Sequence, residues 1–154
     1  MSIDNNLYEK SIKILTDLIA FKTISGQDNS NLIDYCEKIL NNIGIDTFKV
    51  YDDDKKRVNL FGTLKAKNQS AKKPIILSGH TDVVPVSKGW SSDPFVATIK
   101  NDKLYGRGSC DMKGFIACTL AYAPIFKESN LDRDLHFCYT CLLYTSPSPR
   151  DIPL

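Results

Sequence analysis

The sequence predicts an α/β fold of three layers, α/β/α, around a mixed sheet, and three observations carry that expectation. Helix-like and strand-like periodicities alternate along the chain. Two pairs of strand-like runs are joined by short turns, which makes part of the sheet antiparallel. One short unbroken apolar run, residues 74–78, reads as a strand buried on both faces at the centre of a sheet.

Taken in order, Tyr8, Ile12, Leu15 and Ile19 follow the helical period, with Asp4, Asn5 or Asn6 available as a cap. A second helix begins near Ser30, carries Leu32, Cys36, Ile39, Leu40 and Ile43, and stops at Gly44, a residue suited to a left-handed C-terminus. Residues 47–51 and 58–64 are strand-like and pair as antiparallel neighbours across the charged turn 52–56. Residues 95–100 and 103–105 flank Asn101-Asp102 as a short hairpin. A helix over 112–126 follows a glycine-rich loop, with Pro124 kinking it or marking its last turn. Residues 135–140 form a further buried strand.

The bulk numbers narrow the function. A chain of 154 residues, 42% hydrophobic and 25% charged, is one domain with room for a core. Twenty basic against 18 acidic residues leave a net charge of +2, too even to point to nucleic acid or a membrane surface as partner. No apolar run has the length of a spanning helix, and the opening MSIDNNLYEK lacks the pattern of a signal peptide, so the expected location is the cytoplasm. The five cysteines, an odd number, read as free thiols. Cys138 and Cys141 form a C-x-x-C, but on a strand rather than at a helix start, where a redox dithiol gains its lowered pKa.

Two motifs carry chemistry. In GHTDVVP, His80 and Asp82 stand just past the apolar run, at the strand end where α/β sheets bind ligands. His80 can hold a divalent metal while a carboxylate orients its ring. An isolated H-x-D is common, and the plainer reading, in which His80 caps a turn that Asp82 starts, is the more frequent one. In GRGSCDMKG the glycines do not make a phosphate loop, because Lys-Gly-Phe stands where Gly-Lys-Ser/Thr is needed. They permit instead an irregular loop that delivers one carboxylate, Asp111, to the start of an apolar helix, where it can bridge two metal ions. Cys110 is a weaker candidate, since adjacent residues rarely aim at one ion.

The continuous run LSGHTDVVPVSKGWSSDPFVATIKNDKLYGRGSCDMKGF resembles the first half of the metal site in the family of zinc-dependent amidohydrolases and peptidases. That resemblance implies a zinc-peptidase-like catalytic domain, here truncated, with two zinc ions per complete site and cobalt as the alternative. It makes His80 a ligand of one metal, Asp111 the carboxylate bridging both, and Asp82 the active-site carboxylate that holds the His80 ring. It implies a small acylated amino acid as partner, and among such substrates the wording is nearest to enzymes cleaving N-acetylornithine to ornithine and acetate in arginine biosynthesis. A homodimer is one arrangement of the parent enzyme. The family's Glu-Glu pair, whose first member is the general base, and its later acidic and histidine ligands should follow the strand at 135–140, and the sequence does not contain that pair there.

The end of the chain gives a further expectation. Residues 141–151, CLLYTSPSPRD, are also the translation of a transposase adapter used to build sequencing libraries. Residues 1–140 are therefore expected to be the N-terminal part of the metal-binding catalytic domain, inactive by itself, and 141–154 adapter read-through.

Overall fold

The computed structural model describes residues 5–68 and 72–141. In chain order these form α1 (Asn5–Ala20), α2 (Ser30–Asn42), β1 (Asp46–Tyr51), β2 (Val58–Leu64), β3 (Ile75–His80), β4 (Thr98–Lys100), β5 (Lys103–Tyr105), α3 (Gly114–Glu128) and β6 (Leu135–Thr140). The main sheet has the order β1-β2-β6-β3, with β1-β2 and β2-β6 antiparallel and β3-β6 parallel, so the mixed sheet of an α/β domain is present. β4 and β5 form a separate hairpin turned by Asn101 and Asp102, both with positive φ (51° and 57°), the geometry of a two-residue primed turn.

Register assigns the two faces of the sheet. Leu60, Tyr139 and Gly79 align on one face, as do Gly62, Phe137 and Leu77. On this face Leu60, Phe137 and Tyr139 are fully buried in one cluster with Leu18 of α1, Leu32 and Leu40 of α2, and Ile116 and Leu120 of α3. Phe48, Phe61, Cys138 and Ser78 align on the other face. There Phe48 is 59% exposed and Ile76, one register step away, 61%. The described residues thus build two of the three expected layers, with the helices gathered on the inner face.

One expectation is corrected. Residues 74–78 do not form a central strand: β3 is at the sheet's edge among the described residues, and the centre is taken by β6, which inserts between β2 and β3. An apolar run reports hydrophobicity, and only the pairing decides how much of it is covered. In α1 the buried residues are Ile14, Leu18 and Ile19, while Tyr8 is 55% exposed. The helix over that run is present; of its apolar residues Ile19 is buried, while Tyr8, Ile12 and Leu15 line a groove with Ala117, Cys118 and Tyr122 of α3.

The other helix signals hold. Gly44 follows α2 with φ +67°, and α3 runs one turn past Pro124, which lies within it. No helix of the described residues is long and apolar enough to cross a membrane. Apart from Cys141, the segment 141–154 lies outside the described residues.

Candidate metal centre

β3 and β6 run parallel and end together, with His80 opposite Thr140. The chain leaving β3 is drawn inward: Thr81, Asp82 and Val83 are 0%, 3% and 1% exposed. Polar groups buried this deeply need partners, and each finds them. Thr81 N–H and its hydroxyl both donate to the Thr140 carbonyl, at 2.7 and 3.0 Å. Asn29 Nδ2 donates to the Val58 carbonyl (2.9 Å) and to Thr81 Oγ1 (3.0 Å), and Val58 N–H returns a bond to Asn29 Oδ1 (2.8 Å). Ser25 Oγ donates to Asp82 Oδ2 at 2.6 Å.

His80 is thereby held with both ring nitrogens engaged. Nδ1 lies 2.9 Å from the backbone carbonyl of Asp82, an acceptor that requires a proton on Nδ1 and so fixes the tautomer. The Asp82 carboxylate lies farther off, 3.7 Å from Nδ1. Asp82 therefore orients the ring mainly through its main chain, and its side chain adds negative charge behind it. Nε2 lies 2.9 Å from Asp111 Oδ1.

Asp111 arrives from the irregular turn Ser109–Lys113, in which Asp111 (φ −122°, ψ 96°) and Met112 (φ −137°, ψ 32°) both leave helical dihedrals. Two glycines allow the approach. Gly108 has φ +81°, and a Cβ there would fall 2.6 Å from Val83 Cγ1, so the two motif loops touch only because position 108 has no side chain. At Gly79 a Cβ would meet Ile116, Met112 and Phe115 at 3.1 to 3.3 Å, which is how the start of α3 closes on β3.

The two residues singled out from sequence, 31 positions apart, are thus in contact, with Asp82 directly behind them. An imidazole Nε2 facing a carboxylate oxygen, with Nδ1 committed to a carbonyl, is the donor chemistry of a zinc or similar divalent site. Among the described residues no group of three or more His, Cys, Asp and Glu side chains converges on one point. Cys110 is exposed, while Cys138 and Cys141 are free. Burial raises the Cys138 thiol and pushes Cys141 up to about 11, the opposite of a reactive dithiol.

Four residues that complete this arrangement went unnoticed in the sequence: Thr23, Ser25, Asn29 and Lys113. Lys113 is fully buried, and its ammonium donates to the carbonyls of Leu18 (2.8 Å) and Phe21 (2.7 Å). Their partners are distant in sequence, so no local spacing announces them.

Comparison with known proteins agrees with this geometry. The chain is 40% identical over 109 residues to an acetylornithine deacetylase of Myxococcus xanthus, covering 69% of this chain and 28% of the relative. It is 38% identical over 125 residues to a succinyl-diaminopimelate desuccinylase of Rickettsia akari, covering 77% of this chain and 32% of the relative. The chain thus spans about a third of the length of the curated relatives it matches. In fold it is similar to an M20 family metallo-carboxypeptidase of Sulfolobus solfataricus, with a TM-score of 0.71 and 23% identity over 85% of this chain and 30% of that one. Residues 76–141, the segment that holds both His80 and Asp111, match the profile of Peptidase family M20/M25/M40, and it is to this family that the chain belongs.

Proposed function

We propose that the chain is part of a metal-dependent hydrolase that cleaves the amide of an acylated amino acid, with N-acetylornithine as substrate and ornithine and acetate as products. The observation that carries the reading is the contact of His80 Nε2 with Asp111 Oδ1 at the C-terminal end of β3. In it, His80 and Asp111 would hold the divalent cation. A divalent cation held there, zinc or cobalt, supplies Lewis-acid polarisation of the acyl carbonyl. His80 would contribute Nε2, with Nδ1 turned to the Asp82 carbonyl. The Asp82 carboxylate, 3% exposed and bonded to Ser25, keeps negative charge behind the ring. Two protein ligands do not close a zinc site, so His80 and Asp111 by themselves are expected to retain little zinc.

A second substrate, succinyl-diaminopimelate, is favoured by the relative that bears that activity in its name, at 38% identity. The experiment that separates the two extends the reading frame at its source locus, purifies the complete enzyme with zinc, and compares release of acetate from N-acetylornithine, release of succinate from succinyl-diaminopimelate, and dipeptide cleavage. The first is expected to be fastest, and His80→Ala or Asp111→Ala is expected to abolish it. An enzyme with no preference for acetylornithine refutes the assignment, and full activity in His80→Ala refutes the site.

A further inference from the structure

We propose that residues 18–25, where α1 gives way to the first loop, are a strap that sets the spacing of the two motif loops, gripping one through the Lys113 ammonium and the other through Thr23 and the Ser25 hydroxyl. The inference rests on the reading of His80 and Asp111 as ligands.

The first half of the argument is the burial of Lys113. A lysine with no exposed surface loses its hydration. An ammonium in such a place holds its position by hydrogen bonds, and here it has two, to the Leu18 and Phe21 carbonyls at the end of α1. The Leu18 carbonyl also accepts from Phe21 N–H at 3.3 Å and the Phe21 carbonyl from Thr23 N–H at 2.9 Å, so Lys113 adds to the turn that ends α1 a second donor from a distant part of the chain. Lys113 N–H also donates to the Gly108 carbonyl at 2.9 Å, closing the turn that contains Asp111. The Asp111 side chain is 78% exposed. Little surrounds it to fix its position, so that position is inherited from this turn.

The second half is the continuation of the same stretch. Thr23 Oγ1 donates to the Thr81 carbonyl at 2.7 Å, and Val83 N–H to the Thr23 carbonyl at 2.8 Å. Ser25 N–H donates to the Val83 carbonyl at 2.9 Å and Ser25 Oγ to Asp82 Oδ2 at 2.6 Å. Both loops are therefore referenced to one short segment that touches neither His80 nor Asp111 itself. A site whose donors must be held within about 0.5 Å of working geometry needs such a common reference. Lys113, Thr23 and Ser25 act as positioning residues.

The test uses the 154-residue chain, isotope-labelled, as wild type and as Lys113→Met, Ser25→Ala and Leu40→Ala, the last a core change on α2. Amide signals of Asp82 and Asp111 are compared without metal, and zinc chloride is then titrated while the His80 ring is observed. Lys113→Met is expected to displace and broaden the Asp111 signal and to weaken zinc binding at His80 by about tenfold. Ser25→Ala is expected to move Asp82 and weaken zinc binding by a smaller factor. Leu40→Ala is expected to lower the melting temperature while leaving both amides and the zinc response in place. Wild-type Asp111 and Asp82 signals in the first two variants, or equal disturbance by Leu40→Ala, would overturn the strap. Should Lys113→Met fail to fold, Ser25→Ala decides by the same signals. A wild-type His80 ring indifferent to zinc removes the metal reading, and the metal-free amide comparison then still decides the strap.

Discussion

The two faces of one sheet each carry aromatic and aliphatic side chains, but they bury them to different extents. On the inner face Leu60, Phe137 and Tyr139 lie at 0% exposure beneath three helices. On the outer face Phe48 and Phe61 stack on each other, centroids 5.1 Å apart and planes 14° from parallel, while Ile76 stays 61% exposed beside them. Both faces carry large apolar side chains, the outer one among polar residues such as Thr63, His136 and Ser78, yet only the inner one is a core. The difference shows that burial here is conferred by what the helices reach, and that the strands alone would serve either side.

The comparison can be broken at several points, beginning with the inner face. Phe137→Ala, at the middle of the central strand β6, should destabilise the chain by about 3–5 kcal/mol in urea unfolding, through lost transfer energy and an unfilled cavity. A loss under about 1 kcal/mol would mean that the inner face is not the core. On the outer face Phe61→Ala should cost about 1 kcal/mol, close to the value of an aromatic pair, because solvent already reaches its surroundings. Ile76→Lys should change stability by no more than about 0.5 kcal/mol and should reduce self-association of the chain in sedimentation, since a charge on an exposed strand blunts edge pairing. A loss of about 2 kcal/mol or more from Ile76→Lys would show that this face is covered in solution.

The smallest effect concerns the rim between the faces. Hydrogen bonds from Arg133 and Lys72 hold the Asp132 carboxyl down to about 2, in the turn that leads into β6. The folded pKa lies below the unfolded value of about 3.9, so the contribution is present above pH 4 and is lost as pH falls through about 2. Asp132→Asn should flatten the acid limb of a stability curve between about pH 4 and pH 2. The group is exposed, so 1 M salt should flatten it as well.

The same contrast explains how much was legible in the sequence. Strand pairs joined by short turns, the left-handed Gly44 and the alternation within β6 are local signals, and the structure realises each. β3 misled because its run of Pro74 to Leu77 is as apolar as a central strand, while its place at the edge depends on β6 arriving 60 residues later in the fold. His80 and Asp111 stand out in the sequence through the two motifs and the resemblance those carry, and the structure brings the two side chains to 2.9 Å. Lys113 was not: in Met-Lys-Gly it reads as a solvated charge, and only the end of α1, 92 and 95 positions earlier, makes it a buried one. Ser25 and Asn29 likewise sit in a polar stretch that looks like loop, and their partners lie 57 and 52 positions away.

One contact near the site has a practical use. Between the two motifs, Arg107 places its guanidinium 5.1 Å from the ring centroid of Trp90 and donates to the Pro85 carbonyl at 3.3 Å, while its own N–H donates to Pro94. Trp90 is the single tryptophan of the chain. Its emission therefore comes from one known place, an indole beside the Arg107 guanidinium, on the loop that connects the His80 turn to the Asp111 turn. The protein carries its own optical probe at that spot, and stopped-flow fluorescence can time the assembly of the centre without any label.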